Sequence, residues 1–240
     1  MMKASMPKLV FVHGAGESHK VWSYQTNRFT DALAIDLPGH PDGKGENTIE
    51  GYAAFVDEFL TQRDLSSVVL AGHSMGGAIV LKVALKAPSY LKGIVLVATG
   101  AKLRVTPLIL EGIKTDFVNA TKLIIDFAYS SQAPNWLKER SLTELQQIRP
   151  GIILGDFEAC DNFDSMKDIQ RIRTPSLIVC GSEDKLTPLK YSEYLHKGIS
   201  GSRLVVIQGA GHMVMIEEPD QVNAAIEEFL DDLARSIETI

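Results

Sequence analysis

The chain has 240 residues, 45% of them hydrophobic and 22% charged, with a net charge of −6 and a pI of about 5.5. This composition is globular and sufficient for a sizeable core, and its scattered Lys and Arg form no basic stripe, which excludes nucleic acid and anionic membranes as expected partners. Cys160 and Cys180 alone exclude a disulfide framework and a cysteine metal site.

From the N-terminus, MMKASMPKLVFVHG offers a four-residue apolar run before His13, too short for a signal peptide. No stretch approaches the roughly 18 apolar residues of a membrane span, so a cytoplasmic protein is expected. KLVFV (8–12) is the first predicted strand. It runs into His13-Gly14-Ala15-Gly16, whose small residues let backbone N–H groups approach a ligand closely. DALAID (31–36) is the second strand, followed by DLPGHPDG, where His40 reads as a turn residue. Residues 49–64 place Tyr52, Phe55, Val56, Phe59 and Leu60 at helical spacing.

SVVLAG (67–72) is the third strand, and residues 75–87 form an apolar helix that stops at Pro88. Between them lies Gly72-His73-Ser74-Met75-Gly76, a G-x-S-x-G pattern at a strand-to-helix turn. So sharp a turn holds Ser74 in a strained conformation, of order 1–3 kcal/mol, and Cβ atoms two residues away would crowd it. The turn lifts the hydroxyl clear of the sheet, and the helix N-terminus aims its N–H groups at whatever the serine attacks.

GIVLVA (93–98) is the fourth strand. From 101 to 170 the β/α rhythm stops: helical pieces follow without a good strand, which predicts a helical cap inserted between two strands. Leu108, Ile109, Ile113, Phe117, Ile124, Phe127, Tyr129, Trp136 and Leu137 are its candidate pocket lining, with fewer than half expected to serve. SLIVCG (176–181) is the fifth strand, with Cys180 as a reduced core thiol, and Glu183 and Asp184 follow it directly. Residues 187–199 read as a helix capped by Thr187 with Pro188 in its first turn. RLVVIQG (203–209) is the sixth strand, His212 follows in the next loop, and 218–238 forms a closing amphipathic helix. The continuous apolar strands are those of a parallel sheet covered on both faces, in a doubly wound α/β fold.

A serine hydroxyl needs a base to act as a nucleophile. Of the six histidines, His212 sits at the same sheet edge as Ser74, where open α/β sheets form their sites. His73 reads as packing, His13 as part of the glycine loop, His196 as surface and His19 as a residue of the site mouth. A base in turn needs an orienting carboxylate, and Asp184, with Glu183 as the alternative, lies at that edge. The oxyanion of an acyl-transfer intermediate needs donors, for which the N–H groups of Ala15 and Met75 are the candidates.

Taken together, HGAG, DLPGHPDG, GHSMGG, GSEDKLTP and GAGHMVMIEEP resemble the α/β-hydrolase family, in particular its small capped esterases and lipase-like members. The resemblance covers 11 to about 219 apart from the insert. It implies a core of 1–100 and 171–240, a cap of 101–170, a catalytic triad of Ser74, Asp184 and His212, and an oxyanion hole of Ala15 and Met75. Gly14, His19, Ile113, Phe117, Phe127 and Trp136 are its implied substrate contacts. One departure stands out: the two strands that usually precede the HG motif are missing, so a six-stranded, mostly parallel sheet is expected. Serine at the nucleophile position excludes dehalogenases and epoxide hydrolases of this fold. The implied activity is hydrolysis of small carboxylic esters of short-to-medium acyl chains, with no metal or organic cofactor. C–C bond hydrolases, thioesterases or lysophospholipase-like hydrolases, acyltransferases, perhydrolases and ligand-sensing receptors share this residue set.

Overall fold

The structure, a computed structural model, describes residues 6–238. Six strands form one sheet in the order β2-β1-β3-β4-β5-β6: β1 (Lys8–Val12), β2 (Leu33–Ile35), β3 (Val68–His73), β4 (Leu91–Val97), β5 (Ser176–Gly181) and β6 (Arg203–Ile207). Every neighbouring pair is parallel, so all six carboxyl ends lie along one edge. The expected six-stranded sheet is present, and the loops singled out in the sequence all leave from that edge.

The central strands are largely apolar because both faces are covered. Leu9 and Phe11 of β1, with Val69 and Ala71 of β3, enter one core. The alternate residues Val10, Val12, Val68 and Leu70 enter the other. Period-2 geometry splits the continuous run between two cores. Helices α2 (Ile49–Gln62), α3 (Met75–Leu85) and α8 (Lys190–Gly198) contribute Tyr52, Ile79 and Leu195 to the second core. A 3-10 turn (His19–Trp22) leads into α1 (Ser23–Arg28), and a short α9 (Val214–Glu217) into α10 (Pro219–Glu238). The 3-10 turn and α10 cover the first face with Trp22, Val222, Ile226 and Leu230.

Between β4 and β5 lie four helices: α4 (Pro107–Thr115), α5 (Phe117–Ala128), α6 (Asn135–Gln147) and α7 (Pro150–Asn162). In this segment the only pairing among the described residues is the single bridge between Lys102 and Asp164. The helices carry buried Ile109, Ile124, Leu145 and Ile153 into the first core, so they share apolar burial with the sheet domain.

One helix start differs from expectation. Helix α8 begins at Lys190, with Leu189 as its N-cap. Thr187 does not cap it, because its hydroxyl donates to Asp184 Oδ2 at 2.8 Å. Cys160 and Cys180 are both free and buried.

Candidate active site

Strand β1 sits between β2 and β3, so the chain leaves β1 to one side and returns to the other. A crevice opens at such a switch point, outside the carboxyl ends of the strands. The loop after β1 (13–17) and the turn after β3 flank it.

That turn holds Ser74 at φ +50°, ψ −114°, a left-handed conformation that a side chain rarely adopts. Its amide donates to Val97 O at 3.0 Å, and its carbonyl accepts from Thr99 Oγ1 at 2.7 Å. The two glycines serve different clearances. A Cβ on Gly72 would stand 2.2 Å from Gly76 O, across the turn itself, whereas one on Gly76 would stand 2.3 Å from Val12 O of the neighbouring strand. The turn is therefore tight at Gly72 and rests against β1 at Gly76. Met75 is the first residue of α3, so its N–H has no acceptor within the helix.

Past β5 and β6 the structure brings Asp184 and His212 together. His212 Nδ1 donates to Asp184 Oδ2 at 2.9 Å, with both side chains buried. The carboxylate is saturated: Oδ1 accepts from the N–H groups of Leu186 (2.9 Å) and Thr187 (2.8 Å), and Oδ2 also takes the Thr187 hydroxyl. Burial opposes its ionisation, but the His212 ring and the Thr187 donors outweigh it and hold the carboxyl at about 2. Burial likewise opposes charge on His212, and the Asp184 carboxylate overrides it, raising the imidazole above its ordinary value. Glu183 faces elsewhere, accepting from the N–H and hydroxyl of Ser131.

Ser74 and His212 line one cavity of about 760 Å³, within the usual range for small-molecule sites. The Ser74 hydroxyl has no hydrogen-bond partner among the described residues. In unliganded sites such contacts are often long and tighten when substrate binds. Of the expected lining, Ala15, His19, Ile109, Ile124 and Phe127 border the cavity. His19 stands at its half-exposed rim, its Nδ1 bonded to Asp36 at 2.8 Å.

The remaining lining expectations are corrected. Gly14 turns away, its N–H donating to Glu17 Oε2 at 2.6 Å. Ile113 is buried one helical turn beyond Ile109, and Phe117 packs against the same core; neither borders the cavity. Trp136 and Leu108 lie on the outer surface, 57% and 64% exposed. Tyr129 is core, its hydroxyl bonded to Ser141, and Leu137 is buried away from the cavity. The wall is completed by residues outside the expected set, among them Leu103, Val105, Phe157, Leu186 and Tyr191.

Two further groups sit behind the site. His73 spans from Glu17 Oε2 (3.0 Å) to the His212 carbonyl (3.1 Å), linking the first loop to the histidine loop. Burial works against the Glu17 charge, and the adjacent His73 ring more than offsets this and lowers its pKa. His13 is buried between the Leu37 amide, which donates to Nε2 at 3.0 Å, and the Gly14 carbonyl. Burial and then the nearby His40 lower its pKa to about 4, so it is a neutral structural strut. The sequence signalled His73 only as packing and His13 only as part of the glycine loop; Glu17, one residue past HGAG, carried no motif.

Comparison with known proteins fits this geometry. The family model described as "Alpha/beta hydrolase family" matches residues 9–225. A pimeloyl-[acyl-carrier protein] methyl ester esterase of Neisseria meningitidis is 27% identical, over 96% of this chain and 78% of that protein. A thermophilic esterase of known structure is 38% identical with a TM-score of 0.84, covering 94% of this chain and 90% of the other. An Exiguobacterium antarcticum esterase shares the fold at a TM-score of 0.87 and 21% identity, over 95% of this chain and 92% of that one.

Proposed function

The chain belongs to the α/β-hydrolase family and is an ester hydrolase within it; on that premise we propose that it cleaves carboxylic esters of short-to-medium acyl chains through an acyl-enzyme on Ser74. One observation supports the reading: His212, paired with the buried Asp184 at 2.9 Å, and a left-handed Ser74 share the wall of one cavity.

In the proposed reaction Ser74 Oγ attacks the ester carbonyl while His212 Nε2 takes its proton. Asp184 stays ionised, fixes the ring tautomer and stabilises the imidazolium. The N–H groups of Ala15 and Met75 take the charge that forms on the carbonyl oxygen. The C–O bond then breaks, and the alcohol leaves with the proton from His212. Water follows it in, gives a proton to His212 and attacks the acyl carbon. The acid departs and Ser74 recovers its hydrogen. The chemistry asks for no metal or organic cofactor.

In this reading residues 101–170 form the cap that supplies the apolar wall, over a core of 1–100 and 171–240. A cavity of about 760 Å³ suits a small ester better than a long one. The test is a panel of p-nitrophenyl acyl esters of rising chain length, with wild type beside Ser74→Ala. We expect fast turnover of the short and middle members, decline for long ones, and a loss of about a millionfold in the variant. Wild type that turned over none of them would overturn the reading, as would organophosphate labelling at a different serine.

A further inference from the structure

Asp156 takes no part in the reaction above and does not border the cavity, yet its carboxylate is completely buried. It lies on α7, between Ile153 and the Ala159–Cys160 pair on the helix's buried face. Its Oδ1 accepts the Tyr52 hydroxyl at 2.5 Å. Its Oδ2 accepts His40 Nε2 at 2.8 Å and the Gly16 amide at 2.9 Å. The three donors come from three separate places, namely the loop after β1, the loop after β2, and α2. Their single acceptor comes from the cap. Apolar side chains of similar volume in place of the whole buried Asp156–His40–Tyr52 group would avoid its desolvation cost, so fold stability alone is a poor reason for a carboxylate here.

The Gly16 contact gives a better one. In the loop after β1, Gly14 N–H is held by Glu17 and Gly16 N–H by Asp156. Gly16 has a positive φ of +65°, and a Cβ there would stand 2.5 Å from Leu145 of α6, so the loop also rests closely on the cap. The amides on both sides of Ala15 are tied back, and the Ala15 N–H is left without an acceptor among the described residues while its residue borders the cavity.

We propose that Asp156 is a positioning residue for the oxyanion loop: by pinning the Gly16 amide from the cap, it turns the Ala15 N–H toward the reacting carbonyl and couples that donor's placement to the seating of α7. This rests on the reading of Ala15 as an oxyanion donor. His40 and Tyr52 occupy two more of the carboxylate's lone pairs, and so fix its orientation.

The test pairs an ester with its thionoester, whose sulfur is a weak hydrogen-bond acceptor, so the ratio of their rates reports the donors directly. Wild type is expected to prefer the carbonyl substrate by about 100-fold or more. Asp156→Asn keeps the shape but loses one acceptor; it is expected to lower kcat on the ester about 10- to 100-fold with KM within about twofold, and to shrink the ester-to-thionoester ratio by a similar factor. A wild type without preference overturns the donor reading itself, before any variant is made. A wild type with preference, alongside an Asp156→Asn enzyme that melts earlier but keeps kcat and the ratio, overturns the positioning role and leaves the donor reading standing. Should Asp156→Asn fail to fold, Tyr52→Phe loosens the same carboxylate without touching Gly16. Its ratio is expected to fall about two- to fivefold, and an unchanged ratio overturns the proposal.

Discussion

The described residues include two buried aspartate–histidine pairs, Asp184–His212 beyond β5 and β6 and Asp156–His40 beneath α7. Their hydrogen bonds are nearly equal, 2.9 and 2.8 Å, and all four side chains are buried. In both, burial opposes the histidine's charge and the carboxylate overrides it, raising the pKa. The difference lies on the far side of each ring. His40 spends its second nitrogen on the Pro38 carbonyl at 3.1 Å. His212 borders the cavity, and its Nε2 has no partner among the described residues. The two contacts are alike in length and burial; what sets the proposed base apart is a free ring nitrogen on a residue of the cavity wall.

The strongest way to break this comparison is to disable each pair in turn. Asp184→Asn is expected to lower kcat about 10⁴-fold, because the ring loses its proper tautomer. His40→Gln is expected to leave kcat within about tenfold and to destabilise the fold by about 3 kcal/mol, since it removes one partner of a buried pair. Rates on a p-nitrophenyl ester and denaturant melts of both variants measure the two losses. Equal rate losses would erase the distinction.

The next test separates the pairs by pH. In the proposed mechanism His212 must be neutral to accept the Ser74 proton, so kcat/KM is expected to rise with pH through a midpoint above the usual histidine value of about 6.5. His40 has the opposite sense in stability. Its pKa is raised on folding, so its contribution is complete below about 6.5 and fades as pH rises through the folded value. Stability measured against pH for wild type minus His40→Gln is expected to show that alkaline loss, while the kcat/KM midpoint stays in place. A midpoint that moved with His40→Gln would mean that the two pairs titrate together.

The smallest effect concerns the cavity wall. Phe127→Ala is expected to change KM or chain-length preference several-fold, since one methylene in an apolar pocket is worth about 1–3 kcal/mol. Trp136→Ala, on the outer surface, is expected to change kcat/KM less than twofold and stability within about 0.5 kcal/mol.

The strands and the serine turn were legible because strong local patterns encode them. Continuous Val/Ile/Leu runs mark doubly covered strands, and G-x-S-x-G between a strand and a helix marks the turn. The lining supplied by the helices between β4 and β5 was not, because it depends on which side of each helix meets the cavity. Ile109 borders it and Ile113, four residues on, does not. Thr187 reads locally as a helix cap, but Asp184, three residues earlier, takes its hydroxyl, and only the fold brings His212 beside it. His40 reads as a turn residue because its partner lies 116 residues away. Asp156 did leave one trace: it interrupts an apolar stripe of Ile153, Ala159 and Cys160 on α7, and a charge on a buried helix face needs a partner.

A sheet whose six strands all run the same way has a working rim and an idle one. The idle rim is made by the short connections that enter β3, β4 and β5, near 64–67, 88–90 and 173–175. A tether, affinity handle or solid support joined there would leave the cavity mouth facing solution. The fold thus carries its own instruction for how the enzyme should be mounted.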